Sequence, residues 1–450
     1  MSQFKRPFSG GEYALALFLL PWYILQPRFA AAEVYQQWCA LVHSDDETQL
    51  KAIHTLQWLY APLRWQPAVQ LIRSTFGSDL FHYEHRIRGV KVTVISYDPL
   101  ECHPSHHAST SSRKAARNNR NKQNNHNSSI PDRPTILFVP GGAFIADFEA
   151  CDVFFLYKWV REAQATLIYI TYEFAPQAPY PTGMLQVAAV YRALREGTHD
   201  HVMGFRPTPL VMSGLSAGGN LAVSAILSII RPQLLKGPVR GGGGGSSTAS
   251  SSSGGGGGQG GEEPAAAQQQ QNTWAVGQPS GTQPPSPPQL QRGDSTVPPS
   301  TVPMPDALLL LCPVLNLNRS PSPSRVAFAS DTLLPQPLLT ACAKAYDGGQ
   351  DVAMWGDPLL SPALAPDEAL RRLPTTHIQV GGFDPLLDDS VDFNTRIRRL
   401  GVPGELRIHR TLPHTFLSFP IWHNVPEVQQ ALGTTVQWLE DALWTKKHER

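Results

Sequence analysis

Short apolar runs separated by longer stretches of mixed polarity recur along this chain, and their alternation predicts strands joined by helices. The strand-like runs are Val90 to Tyr97, Thr135 to Val139, Thr166 to Thr171, Pro209 to Met212, Ala307 to Cys312, Thr376 to Val380 and Glu405 to His409. Helix-like stretches fall between and after them at Asp152 to Gln164, Met184 to Glu196, Asn220 to Ile230 and Asp389 to Leu400. Such alternation implies an α/β fold, with a mostly parallel central sheet and helices on both faces. The last of these helices opens on Asp388 and Asp389 and closes on Arg396, Arg398 and Arg399, the charge order a helix dipole favours. Those acids are therefore assigned to the helix end and not to catalysis.

The pattern breaks in three places. Residues 103–129 are polar, with basic and asparagine-rich parts, and residues 237–300 form a Gly/Ser-, Gln- and Pro-rich tract. Neither can bury enough apolar surface to offset its ordering entropy, so both are expected to be disordered surface insertions. In residues 1–89, an apolar run from Tyr13 to Leu25 follows Lys5 and Arg6 and precedes Ala30-Ala31-Ala32, the outline of a signal peptide. Glu12 and Pro21 count against that reading, and the run is too short to span a bilayer as a helix. A retained helical cap or membrane-surface segment is preferred, with a cleaved signal and the secretory pathway as the alternative. Trp38, Trp58, Tyr60 and Trp65, with Leu41, Ile53, Leu56 and Leu59, suit a cap and suit plain core packing equally well. The organisation expected is an N-terminal region at 1–89 and a catalytic domain at 90–445 carrying the two insertions.

Composition changes this picture little. Of 450 residues 41% are hydrophobic, and about 350 remain once the low-complexity parts are set aside, enough for one large core. A net charge of +1 gives no reason to expect a nucleic-acid partner. Cys39, Cys102, Cys151, Cys312 and Cys342 are scattered without metal-ligand spacing, and their odd number suggests reduced thiols in the cytoplasm. His103, His106 and His107 lie in a polar run unsuited to a metal site. No metal or cofactor is expected.

The chemistry concentrates around Gly214-Leu215-Ser216-Ala217-Gly218, which separates a strand-like run from a helix-like one. A serine in such a strand-to-helix turn is lifted out of the sheet, and the helix N-terminus behind it favours negative charge. A serine hydroxyl needs a histidine to take its proton and a carboxylate to orient that histidine. Asp384 follows the strand-like run ending in Gly381-Gly382, and His414 follows the one ending near His409. Upstream, Pro140-Gly141-Gly142-Ala143-Phe144 leaves another strand, and its glycines let main-chain N–H groups approach a substrate. Gly142 and Ala143, joined by Ala217, are the expected oxyanion donors.

These motifs resemble the hormone-sensitive lipase family of α/β-hydrolases. Pro140 to Phe144 is similar to the family's H-G-G-G-F, Gly214 to Asn220 to its G-D-S-A-G-G-N, and Tyr172 to Pro181 to its Y-x-L-A-P-E-x-P-F-P. Leu360 to Pro366, Asp384 to Ser390 and Leu412 to Leu417 look like hormone-sensitive lipase itself more than its bacterial relatives. The resemblance runs from about Val90 to Ala442 and implies an α/β-hydrolase with a helical N-terminal cap. It also implies a serine carboxylic-ester hydrolase acting on hydrophobic esters, of the acylglycerol or cholesteryl-ester kind, with a lipid-droplet or membrane surface as partner. A small-ester carboxylesterase or deacetylase is the nearer alternative, and a catalytically silent binding protein the more distant one. Three departures stand out: Pro140 replaces a bracing histidine, Ala143 a glycine and Leu215 an acid. None touches the Ser216, Asp384 and His414 set.

Overall fold

In the computed structural model the residues described are Ile53, His54, Gln57, 73–100, 130–236, 302–317, 322–329, 331, 333–348, 356–419 and 422–444. The expectations for residues 103–129 and 237–300, for the apolar run at Tyr13 to Leu25 and for most of the cap lie outside them.

Among the described residues the sheet has eight strands, in the spatial order β1-β2-β4-β3-β5-β6-β7-β8. They are β1 (Phe81–Ile87), β2 (Val90–Ser96), β3 (Asp132–Val139), β4 (Thr166–Thr171), β5 (Arg206–Leu215), β6 (Ala307–Leu311), β7 (Thr376–Gly381) and β8 (Leu406–His409). β1 pairs antiparallel with β2, and β2 with β4; every pairing from β4 through β8 is parallel. The mostly parallel α/β architecture read from the sequence is the one observed.

β1 was absent from the sequence reading, which started the sheet at Val90. The residue-90 boundary falls at a hairpin turn, where Arg88 and Gly89 both take positive φ (51° and 82°) as a tight two-residue connection between twisted strands requires. Along β1 the buried positions are Tyr83, His85 and Ile87, alternating with the exposed Glu84 and Arg86. A buried histidine in the apolar row disguised the period of two.

The central strands are buried on both sides, so their residues alternate between two separate cores. Leu137 and Val139 of β3, Ile168 and Ile170 of β4 and Leu308 and Leu310 of β6 enter one core. There they meet α2 (Thr182–Arg195), α3 (Ala217–Ile230), α4 (Gln336–Asp347) and α5 (Leu387–Arg399). Ile136, Phe138, Leu167, Tyr169, Leu309 and Leu311 enter the other, against α1 (Glu149–Glu162) and α6 (Pro426–Trp444). The sequence reading passed over α6, although Val428, Leu432, Thr435 and Leu439 sit on its buried side at helical spacing. Trp159 of α1 donates its indole N–H to Thr435 Oγ1 of α6 at 2.9 Å, pairing the polar atoms of that core.

The acids at the start of α5 do more than complement its dipole, and neither caps it by a side-chain hydrogen bond. Asp389 accepts the N–H groups of Leu315 and Asn316 at 3.1 and 2.9 Å and pairs with the buried Arg325 at 3.0 Å. Asp388 accepts the Ser324 N–H at 2.6 Å. Both therefore tie the chain after β6 to α5. Burial holds the Asp389 carboxyl up to about 6, against the pull of Arg325 and the two N–H groups.

Candidate active site

β5 ends at Leu215, and Ser216 turns the chain into α3 with φ 53° and ψ −116°, a conformation few L-residues adopt. Hydrogen bonds hold it there. The Ser216 N–H donates to Leu311 O at 2.8 Å, and its carbonyl accepts from Gly219 at 3.0 Å and Val314 at 3.1 Å. The flanking glycine is a steric necessity: a Cβ on Gly218 would lie 2.0 Å from the Val139 carbonyl oxygen.

The other two residues of the set arrive on the loops after β7 and β8. His414 Nε2 lies 3.0 Å from Ser216 Oγ, and His414 Nδ1 lies 2.9 Å from Asp384 Oδ2. A carboxylate only accepts, so Nδ1 carries the hydrogen and Nε2 is left to accept from the serine hydroxyl. The second oxygen of Asp384 accepts the Leu386 N–H at 2.8 Å, which fixes the carboxylate plane. Ser216 and His414 are each 4% exposed and Asp384 is fully buried, so the hydrogen-bonded chain is screened from bulk water.

The Pro140 to Phe144 loop runs beside Ser216. The place a Cβ would take on Gly141 is 3.4 Å from Ser216 Cβ, and Gly142 turns at φ 109°, where a side chain would meet Ala146 O at 2.0 Å. Ala143 and Phe144 follow with φ of 52° and 66°, so the third-glycine position accepts an alanine at the cost of left-handed backbone. Main-chain bonds from Ile145 and Ala146 to Gly142 O, at 2.9 and 3.0 Å, close the turn. Among the described residues, none accepts a hydrogen bond from the N–H of Gly142, Ala143 or Ala217. Ala217 follows Ser216 in sequence, and Gly142 and Ala143 follow Gly141, whose Cβ position lies 3.4 Å from Ser216 Cβ.

The bracing that Pro140 cannot provide comes from elsewhere. The Tyr172 hydroxyl lies 3.3 Å from Pro140 O and 3.4 Å from Gly141 O, Ala175 donates its N–H to Phe144 O at 2.9 Å, and Phe144 stacks on Tyr346 with ring centroids 3.9 Å apart. Gln57, one of the few described residues of the N-terminal region, donates to Ile145 O at 3.0 Å and to Ala175 O at 2.9 Å. The motif residues outside the site are stitches: Asn220 Nδ2 donates to Leu360 O at 2.9 Å, and Ser361 Oγ accepts the Leu317 N–H at 3.0 Å.

Sequence reasoning missed Cys312. Its thiol, the Asp384 carboxylate and the His414 ring place one atom each within 4.8 Å of one another, all buried. Burial first, and then the adjacent carboxylate, push the thiol well above its ordinary range, so it stays S–H. These three side chains could in principle ligate a soft cation, but His414 and Asp384 direct their nearest atoms at each other. The signal available in the sequence was positional only, since Cys312 ends a strand-like run just as Ser216, Asp384 and His414 follow theirs.

A family model described as alpha/beta hydrolase fold matches residues 136–241 and 290–418 of this chain. A 62-residue stretch is 53% identical to hormone-sensitive lipase of Bos taurus, covering 14% of this chain and 8% of that protein. The match therefore spans only a small part of the lipase's length. An esterase of Acinetobacter venetianus is 25% identical over 303 residues, 67% of this chain and 73% of the relative. Among solved structures, an esterase from the bacterial hormone-sensitive lipase family superposes with a TM-score of 0.52 at 20% identity, covering 83% of this chain and 90% of its own. Carboxyl esterase 2 of Tuber melanosporum gives 0.55 at 18% identity, covering 81% and 88%. The likeness to solved structures establishes the fold, and the matched family model shows that the chain belongs to the α/β-hydrolase family, similar within it to the hormone-sensitive lipases.

Proposed function

We propose that this protein is a serine carboxylic-ester hydrolase working through Ser216, His414 and Asp384. The observation that carries the reading is the unbroken hydrogen-bonded line from Asp384 Oδ2 through the His414 ring to Ser216 Oγ. In the reaction Ser216 Oγ attacks the ester carbonyl carbon while its proton passes to His414 Nε2, and Asp384 stabilises the imidazolium that forms. The carbonyl oxygen gathers negative charge and takes hydrogen bonds from the N–H groups of Gly142, Ala143 and Ala217. His414 then returns the proton to the departing alkoxide, leaving an acyl-serine. Water repeats the sequence, giving up its proton to His414 and releasing the acid with Ser216 restored.

The substrate class we favour is hydrophobic esters of the acylglycerol or cholesteryl-ester kind, drawn from a lipid-droplet or membrane surface. Support comes from the names of relatives, which include lipases as well as esterases, and from the 62-residue likeness to hormone-sensitive lipase. The exposed ring of Phe383, next to Asp384 in sequence and edge-on to Phe328 at 5.9 Å, offers apolar surface on the loop that carries the acid. A small-ester carboxylesterase is the second reading, favoured by solved neighbours that are esterases. Hydrolysis rates across short aryl esters and long-chain acylglycerols decide between them: turnover of both supports the lipase-like pocket, and turnover confined to acetyl or butyryl esters supports the second. Saturable ligand binding without turnover would remove the hydrolase reading altogether.

A further inference from the structure

The short helix Pro323–Ala327, on the chain between β6 and α4, carries its polarity inside out. Its polar residues Ser324 and Arg325 are 4% and 5% exposed, while Val326 is 65% exposed. Burying a hydroxyl and a guanidinium is costly unless each finds partners, so the inner face is kept for hydrogen bonding and not for apolar packing. Arg325 is taken by Asp389 and by Asn316 O. Ser324 faces the turn that follows Asp384. Its Oγ donates to Pro385 O at 2.9 Å and accepts the Asp388 N–H at 3.2 Å, and the Ser324 N–H returns to Asp388 Oδ2 at 2.6 Å. Four residues later the Phe328 ring meets that of Phe383 edge-on, with centroids 5.9 Å apart. Asp384 is thus bracketed by one segment, which packs on the residue before it and hydrogen-bonds to the residue after it.

We propose that Ser324 is a positioning residue for the hydrolytic reaction, fixing the turn from Asp384 to Asp388 so that the carboxylate meets His414 Nδ1. The inference rests on the triad reading above. Within that turn Asp384 Oδ1 accepts the Leu386 N–H at 2.8 Å, and Asp384 O accepts the Leu387 N–H at 3.0 Å. The direction of the carboxylate therefore follows the backbone of residues 385–387. Pro385 has no N–H of its own, so the turn can be gripped there only through its carbonyl. The Ser324 hydroxyl takes that carbonyl and, at the far end of the turn, the Asp388 N–H. The partners of this hydroxyl are Ser322, Pro385 and Asp388, so it acts on the carboxylate through the turn and not by touching it. Without it the Pro385 carbonyl and the Asp388 N–H lose a partner in a buried place, and the turn shifts to find others. The atom that moves with it is Asp384 Oδ2, which must stay at its 2.9 Å from His414 Nδ1.

The test is a double-mutant cycle on a soluble short-chain aryl ester, with kcat and KM measured for wild type, Ser324→Ala, Asp384→Ala and the double variant. Thermal unfolding of each protein reports whether the fold survives. Ser324→Ala should lower kcat roughly 5- to 20-fold with KM changed by less than about twofold, since the aim of the acid serves proton transfer and not binding. In the Asp384→Ala background no carboxylate is left to aim, and the same change should cost less than about twofold. Equal losses in the two backgrounds overturn the proposal, as does a Ser324→Ala variant with wild-type kcat. Asp388→Ala breaks the same junction from the α5 side; it should reproduce the loss, and it takes the place of Ser324→Ala in the cycle if that variant does not fold. Wild-type turnover in Asp384→Ala, or none in wild type, overturns the triad reading itself and is thereby told apart from a failure here. The His414 ring N–H proton that faces Asp384, read by NMR, reports the position of the carboxylate without turnover: it should move upfield in Ser324→Ala, and an unmoved resonance overturns the proposal.

Discussion

His414 Nε2 reaches Ser216 Oγ at 3.0 Å across 198 positions of sequence, and no other side chain intervenes between base and nucleophile. Ser216→Ala should abolish ester hydrolysis, and His414→Ala should cost a comparable factor, at least about 10³ in kcat. The folds should persist, since each change only removes side-chain atoms. Rates on an aryl ester and unfolding curves check this; turnover at the wild-type rate in either variant would sink the assignment.

Gly142 is the position where the Pro140 to Phe144 loop, proposed to supply the oxyanion donors, tolerates a side chain least. With φ at 109° and a would-be Cβ 2.0 Å from Ala146 O, even Gly142→Ala must displace the turn. The expected loss is about 10²-fold in kcat, with KM changed far less, because the donors are needed most in the transition state. A phosphonate bound covalently at Ser216 would show its oxygen within hydrogen-bonding reach of the Gly142, Ala143 and Ala217 N–H groups; an oxygen turned to solvent would falsify the loop assignment.

Arg325 and Asp389 are 5% and 4% exposed, and removing one partner strands the other. Arg325→Met should destabilise by about 3 kcal/mol in urea unfolding at pH 8. The cost should shrink toward pH 6. Burial already holds the Asp389 carboxyl up to about 6 beside Arg325, so without the arginine it takes a proton more readily in the folded state than in the unfolded one. Adding Asp389→Asn to Arg325→Met should recover part of the loss at pH 8. Additive losses would show that the two groups are not coupled.

Asp152 supplies a pH dependence of the opposite origin to the usual acid. It is fully buried, accepts from Ser418 Oγ at 2.7 Å, and faces Asp147 and Glu149. Burial pushes it well above its ordinary 3.8, less the help of Ser418, with the two neighbouring acids pushing the same way as burial. Above pH ~4 the unfolded chain releases this proton while the folded one keeps it, so stability falls as pH rises toward the folded value, by up to about 1.4 kcal/mol per unit. Asp152→Asn lacks that dependence. The Tm advantage of the variant should therefore grow from pH 4.5 to pH 8, and parallel Tm curves would show that Asp152 is charged in the folded protein.

Strand-by-strand, most of the architecture was legible because burial on both faces turns β3, β4, β5, β6 and β7 into apolar runs that stand out from the helices between them. β1 escaped because a buried histidine sits in its apolar row, and α6 because it follows the last motif and carries no signal but its own period. Ser216, Asp384 and His414 were each readable from a local circumstance, a loop leaving a strand inside a recognisable motif. The sheet topology brings them together, since parallel strands in one sheet deliver their following loops to the same edge.

What the sequence determined by itself is therefore local: which residues alternate, where strands stop, which turn must be glycine and which three side chains have the chemistry of a serine hydrolase. The tertiary structure alone decided the long-range pairings. That Tyr172 reaches the loop at Pro140, that Asp389 answers Arg325 and that Cys312 lies near Asp384 all depend on register between elements and on side-chain direction. Those quantities are set by how β6 pairs with β7 and by backbone turns such as φ 44° at Cys312. No local propensity encodes them, because each is a balance struck across the whole core: a one-residue slip in a strand would leave its composition intact and turn every one of its side chains to the opposite face.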